Sequence, residues 1–308
     1  MELLSVVVPC YNEEEMIRIF YDALVKVLNT MDMNHEIIFV NDGSKDKTLE
    51  EMLSLYEEHK DTVKVIDFSR NFGKESAFLA GLRASKGDYV VVMDVDLQDP
   101  PEFIPKMFET MHKNGDDIVG SRRVTRKGEP AIRSFFARNF YKVINKMSEV
   151  QIVDGARDFR LMKRQVVYAI LQLNEYERFS KGMFVWVGFK AEYLEYENIE
   201  RAAGETKWSF WKLFRYALDG IIEYTNIPLR FPALLGGLLT CIMIVELIVL
   251  LVLSLLGKPV GITTLILSLI LFLGGVIILA IGIVGEYLAK TYSEVKGRPH
   301  YIIKKYYE

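Results

Sequence analysis

Two apolar runs near the end of the chain, Phe231–Leu256 and Ile262–Gly285, constrain its fold more than any other feature. Each exceeds the ~20 residues a helix needs to cross a hydrocarbon core. Glu246 lies inside the first run, and the connector Gly257–Gly261 carries one charge, Lys258. Basic residues crowd the outer flanks: Lys207, Lys212, Arg215 and Arg230 before, Lys290, Lys296, Arg298, Lys304 and Lys305 after. The positive-inside bias predicts a two-helix hairpin with both ends in the cytosol, so a multi-pass protein of the inner (plasma) membrane. A charged front part joined to such a hairpin suits chemistry between a water-soluble substrate and one held in lipid.

The 308 residues leave room ahead of the hairpin for one domain of roughly 200 residues. The chain is expected to divide into a charged front domain over 1–208, an amphipathic juxtamembrane helix over 209–230, two membrane helices over 231–289 and a basic cytosolic tail over 290–308. In the juxtamembrane stretch Phe210, Trp211 and Phe214 sit beside Lys212 and Arg215, the pattern of a helix lying in a membrane interface. A net charge of -3 gives no general nucleic-acid surface. Cys10 and Cys241 fall in unlike contexts, so no disulfide is expected. The first residues lack a basic n-region and read as a strand, not a secretion signal. Glu246 reads as a single acid tolerated on a protein-facing side. His35, His59, His112 and His300 show no metal-ligand spacing.

Strand-like and helix-like stretches alternate through the first 125 residues. Strands are expected at Ser5–Val8, His35–Val40, Val63–Phe68 and Tyr89–Met93, and helices at Glu13–Met31, Thr48–His59 and Lys74–Ala84. That alternation predicts an α/β domain, a mostly parallel sheet with helices on both faces, whose ligands bind beyond the carboxyl ends of the strands. Polar residues cluster there: Tyr11-Asn12-Glu13, Asp42-Gly43-Ser44 and Asp94-Val95-Asp96. Further on, Arg122–Ile132 reads as a loop, Arg133–Met147 as an amphipathic helix, Asp154–Arg160 as polar, Lys163–Leu173 as a helix, and Val185–Gly188 and Ala191–Tyr196 as strands.

A strand has period two, so Asp94 and Asp96 are expected to point the same way from the strand Tyr89–Met93. Two carboxylates at a strand exit can hold Mg²⁺ or Mn²⁺, with a carbonyl oxygen added by Gln98. Such an ion neutralises a departing diphosphate. Taken alone, the pattern is weak, because paired aspartates at a strand end also cap helices or solvate loops. Asn12 ahead of Glu13–Glu15 is a reasonable helix cap as well as a candidate ligand contact.

Four ordered blocks resemble the family 2 glycosyltransferases of GT-A fold: Val6-Val-Val-Pro-Cys-Tyr-Asn-Glu13, Ile38-Phe-Val-Asn-Asp-Gly-Ser44, Arg70-Asn-Phe-Gly-Lys74 and Gly87-Asp-Tyr-Val-Val-Val-Met-Asp-Val-Asp-Leu-Gln98. Asp96-Leu-Gln-Asp-Pro-Pro-Glu102, Gly120-Ser-Arg122, Asp158-Phe-Arg-Leu161 and Gly204-Glu-Thr-Lys207 are similar to the polyprenyl-phosphate branch, which contains dolichol-phosphate mannose synthases and GtrB-like enzymes. The two C-terminal runs fit the GtrB-like group.

The resemblance implies an inverting, metal-dependent transfer of one sugar from a nucleotide sugar to a polyprenyl phosphate at the cytosolic face. UDP-glucose or UDP-N-acetylglucosamine and undecaprenyl phosphate are the implied substrates, with GDP-mannose the alternative donor. It implies nucleotide-sugar contacts at Pro9, Tyr11, Asn12, Glu13, Asp42, Gly43, Ser44, Lys74, Asp94 and Val95. It implies metal ligands at Asp94, Asp96 and Gln98, and an acid lining the donor site at Asp158, with Asp154 close by. Arg122, Arg133 and Arg201 are implied to face the diphosphate and, with Lys207, the lipid phosphate; arginine pairs bidentately with phosphate. Ala137 departs from the serine that mannose synthases tend to carry four residues after the loop arginine. A homo-oligomer, possibly a tetramer, is implied as well. A processive polysaccharide synthase is disfavoured by the absence of a Gln-x-x-Arg-Trp motif, and a catalytically silent membrane scaffold by the intact set of acids and arginines.

Overall fold

The computed structural model describes residues 2–123, 153, 155–176, 178–196 and 262–308, with scattered positions between 235 and 256. Eight strands form one sheet: β1 (Leu3–Cys10), β2 (Asn34–Asn41), β3 (Val63–Phe68), β4 (Tyr89–Val92), β5 (Ile118–Arg123), β6 (Ala156–Lys163), β7 (Ala191–Tyr196) and β8 (Ile303–Tyr307). Their spatial order is β7-β5-β6-β4-β1-β2-β3-β8. β1 pairs in parallel with β2 and β4, β2 with β3, and β5 with β7. β6 runs antiparallel between β4 and β5, and β8 antiparallel along β3.

The helices are α1 (Ile17–Leu28), α2 (Thr48–Glu58), α3 (Lys74–Ala84), α4 (Phe103–Asn114), α5 (Arg164–Gln172), α6 (Ser180–Trp186) and α7 (Ile262–Val295). The central strands read as continuous apolar runs because both faces are covered. Leu4, Val6, Val8, Ile37 and Phe39 join a core with α1, α2 and α4. Val7, Ile38 and Val40 point to the other side, into a core with α3, α5 and Phe184 of α6. Full burial of each such side chain stabilises by about 1.5–3 kcal/mol. Helices on both faces of a mostly parallel sheet give the α/β architecture expected from the alternation.

Several sequence expectations shift. α1 begins at Ile17 with no side-chain cap, so Asn12 does not cap it. The polar stretch before Lys163 is strand β6. Val185 and Trp186 end helix α6, and Gly188 follows at φ 73°, so no strand forms over Val185–Gly188. Arg122 and Arg123 belong to β5, where the register shifts after Gly120. The basic tail contains a strand, β8.

The described sheet residues and Arg298–Glu308 belong to one compact unit, and α7 to a second. α7 extends ten residues past Gly285, and its segment Phe272–Val295 is long and apolar enough to cross a membrane. None of that segment is buried, and Ile278, Ile281 and Leu288 are exposed. It is the one candidate span among the described residues. The described positions from 235 to 255 are helical, and the rest of the first expected span lies outside the described residues. The expected juxtamembrane helix over 209–230, with Glu246 and Cys241, lies outside the described residues.

Candidate active site

The chain passes from β1 outward through β2 to β3, then returns to place β4 on the opposite side of β1. In such sheets the crevice at the carboxyl ends of the strands flanking the reversal is where ligands bind. The ends of β1, β2 and β4 carry Tyr11, Asp42 and Asp94 into this crevice.

The first turn is tied to the second. Asn12 takes φ 54°, and its N–H donates to Ser44 Oγ at 3.0 Å while its Oδ1 accepts from the Lys45 N–H at 2.8 Å. The Glu13 N–H donates to Thr48 Oγ1 at 2.7 Å. The second turn is tied to a third. Asp42, buried, accepts from the N–H groups of Phe72 at 2.7 Å and Gly73 at 3.0 Å. Burial raises the Asp42 carboxyl to about 6 against the pull of those N–H groups and Arg70. Gly43 has φ +65°, and a Cβ there would stand 2.3 Å from the Arg70 carbonyl carbon. Only glycine lets these backbones meet so closely. Asp42 therefore braces the Arg70–Gly73 turn, and Pro9 is buried within β1.

Gly73 leads into α3, whose first residue is Lys74. The Lys74 ammonium lies 2.7 Å from Asp94 Oδ1 and 2.7 Å from Asp158 Oδ2. The strand pairing explains the meeting. Val92 stands opposite Arg160 in the antiparallel β4–β6 register, so continuing two residues sets Asp94 beside Asp158. Burial alone would raise the Asp158 carboxyl, but Lys74 and then Lys181 hold it below the ordinary carboxylate range. Burial would likewise lower the Lys74 ammonium, and Asp158 and Asp94 more than reverse that.

β4 ends at Val92, so Asp94 and Asp96 are related by a turn and not by a strand pleat as expected. Leu97 in that turn takes φ 53°. Asp96 is 7% exposed, with Oδ1 accepting from the Gln98 N–H at 3.1 Å. Val95 packs into the core, leaving only its backbone to a ligand. Gln98 Oε1 accepts from Arg157 at 3.4 Å, which turns it toward that guanidinium. Among the described residues no group of three or more His, Cys, Asp or Glu could enclose a metal. Two features nonetheless fit a hard divalent ion. The donors at hand, on Asp94 and Asp96, are carboxylate oxygens, and a cation, the Lys74 ammonium, already sits on one of them, Asp94.

Residues that sequence reasoning passed over hold the acids in place. Arg157 pairs with buried Asp99 at 3.3 Å, and the Tyr196 hydroxyl donates to the same carboxylate. Arg160, 1% exposed, donates to the carbonyls of Asp158 at 3.2 Å and Arg157 at 2.6 Å, with its guanidinium 3.6 Å from the Phe184 ring centre. Arg160, set between the apolar Phe159 and Leu161, was the available signal, since charged side chains are rarely fully buried unless paired. Glu75, beside Lys74, accepts from the N–H and hydroxyl of Ser180. Arg122 pairs with Glu195 at 3.2 Å on the surface. Arg133, Asp154, Arg201 and Lys207 lie outside the described residues.

A mostly parallel sheet bearing paired acids and a bridging lysine at its switch point is an α/β enzyme site. Residues 5–171 match the family described as glycosyl transferase family 2, and the chain belongs to that family. It is a glycosyltransferase. It is 42% identical to the SfII prophage-derived bactoprenol glucosyl transferase of Shigella flexneri, over 98% of this chain and 97% of the relative. It is 42% identical to an uncharacterized glycosyltransferase of Synechocystis, over 97% of this chain and 94% of the relative. A prophage bactoprenol glucosyl transferase homolog of Escherichia coli is 41% identical, over 98% of both chains. These near full-length matches put the chain with the GtrB-like polyprenyl-phosphate enzymes.

Proposed function

We propose that this enzyme transfers one sugar from a UDP-sugar to undecaprenyl phosphate at the cytosolic membrane face, with inversion. The names of the full-length relatives favour glucose over N-acetylglucosamine and over mannose from GDP-mannose. The observation that carries the chemistry is the Lys74 ammonium between Asp94 and Asp158 at the switch point. In the free enzyme it balances two acids. With donor bound, a cation in this place faces the diphosphate.

The nucleotide lies over Tyr11–Glu13 and Asp42–Ser44. An oxygen of the lipid phosphate attacks the anomeric carbon as the bond from that carbon to the diphosphate breaks. The electron pair leaves with the nucleoside diphosphate. The attacking phosphate is already anionic, so positioning and charge neutralisation supply most of the rate. Asp158 orients the sugar hydroxyls, and Arg122, Arg133, Arg201 and Lys207 receive the phosphates. Asp94 and Asp96, with Gln98 turned from Arg157, would hold Mg²⁺ or Mn²⁺, which neutralises charge on the leaving diphosphate.

For placement, we read the chain as a two-span hairpin with the catalytic domain in the cytosol and a homo-oligomeric assembly. The apolar run Phe231–Leu256 and the basic flanks support the hairpin. Purified protein, incubated with undecaprenyl phosphate and a panel of radiolabelled nucleotide sugars, should yield a single-sugar lipid from UDP-glucose. Labelling from GDP-mannose alone would replace the donor, a polymer would replace the reaction, and no transfer or donor hydrolysis at all would leave a scaffold.

A further inference from the structure

The tail beyond α7 is built into the sheet. Residues Arg298–Glu308 belong with the catalytic unit, and β8 pairs along β3 from Phe68↔Ile303 to Val65↔Tyr307. Its simplest role is to cover an open sheet edge. Two sets of contacts reach further, into the elements that carry the donor site.

The first set meets α3. The Tyr301 ring stacks on Phe68 at 5.0 Å and 10°, with the Arg83 guanidinium 5.7 Å from its centre. The His300 carbonyl accepts from Ser76 Oγ at 3.0 Å, two residues beyond Lys74. The Ser69 N–H donates to the Ile302 carbonyl at 3.0 Å, fixing the start of the Arg70–Gly73 turn.

The second set meets the Asp42–Ser44 turn. The Lys304 ammonium lies 3.6 Å from buried Asp67. Asp67 Oδ1 accepts from Asn41 Nδ2 at 2.7 Å, and Asn41 Oδ1 accepts from the Ser44 N–H at 3.1 Å. Ser44 Oγ in turn holds Asn12 at 3.0 Å. Lys304 is itself exposed, and at 3.6 Å its pair with Asp67 contributes little alone. The line from buried Asp67 and Asn41 to the half-buried Ser44 carries the connection.

We infer that His300–Tyr307 is a positioning strap for the donor site: it sets the turns that hold the nucleotide and the start of the helix that carries Lys74. The inference rests on the UDP-sugar reading above. Coupling between two sites is reciprocal, so nucleotide binding tightens the strap and loosening the strap weakens nucleotide binding.

Hydrogen exchange on the full chain in detergent, with and without UDP and Mg²⁺, tests this. Amides of 42–46 and 72–76 should slow, and those of 300–307 should slow with them. In Tyr301→Ala, UDP should bind about tenfold more weakly, equivalent to ~1.4 kcal/mol, while sugar-lipid product still forms. Protection of the turns with none in the tail would overturn the inference and leave the functional reading intact. So would a Tyr301→Ala tail that exchanges freely while UDP binds as in the wild type. No protection anywhere would remove the UDP reading and the strap together.

Discussion

Asp94 lies just past the end of β4 and Asp158 within the antiparallel neighbour β6, yet both carboxylates accept from the single Lys74 ammonium, each at 2.7 Å. Two acids that would repel one another in a half-buried crevice are thereby held side by side. Lys74→Met removes the cation that both carboxylates share. Sugar transfer should fall about 100-fold or more, the scale of losing one preorganised charge-stabilising donor. Lys74→Arg should not restore it, because a planar fork does not replace a compact ammonium. Single-turnover rates with labelled donor measure both.

Asp96→Asn should abolish transfer without unfolding the domain. The side-chain oxygen that accepts from Gln98 is retained in the amide, while the negative charge offered to a divalent ion is lost. The thermal midpoint should stay within a few degrees of wild type. Normal turnover by this variant would falsify the metal assignment.

Glu75 gives the stability a pH dependence. Burial, and then Asp158, raises its carboxyl from the ordinary 4.5 to about 7, against the pull of Ser180 and Lys74. The native state thus binds this proton more tightly than the unfolded chain. The stability it contributes is complete below about 4.5 and is lost as pH rises through about 7. Thermal midpoints from pH 5 to 8 should fall across that window, and Glu75→Gln should flatten this part of the profile.

Arg160→Met keeps the volume but removes the donor to two carbonyls. Hydrogen bonds to a charged group contribute about 1.5–3 kcal/mol each, so the loss should reach ~3 kcal/mol in denaturant unfolding. Because the freed backbone is that of Asp158, transfer should drop further than donor affinity. Equal losses in both would mean that Arg160 supports the fold alone.

The sheet was largely legible because both-face burial writes itself as apolar runs. Val63–Phe68 and Lys74–Ala84 fall where the pattern places them. The polar strand β6 was not legible. Arg157, Asp158 and Arg160 read only as a polar stretch, since their burial depends on Asp99, Lys74 and Phe184, all distant in sequence. Val185–Gly188 misled because a short apolar run carries no period to separate strand from helix. In the site, the resemblance marked Lys74, Asp94 and Asp158 individually. Their meeting required the β4–β6 register, which no local pattern encodes. Asp42 was read as a ligand contact; its bracing of the Phe72–Gly73 backbone, which the structure shows, was not legible in the sequence.

The reversed direction of β6 has a genetic consequence. Neighbouring residues of a strand face opposite ways, so deleting a single codon inside Phe159–Lys163 would slip the pairing by one place. Arg157 would then be presented where Asp158 now meets the lysine, setting cation against cation. Loss of one amino acid there should silence the enzyme as completely as loss of the aspartate itself, even in a chain that still folds.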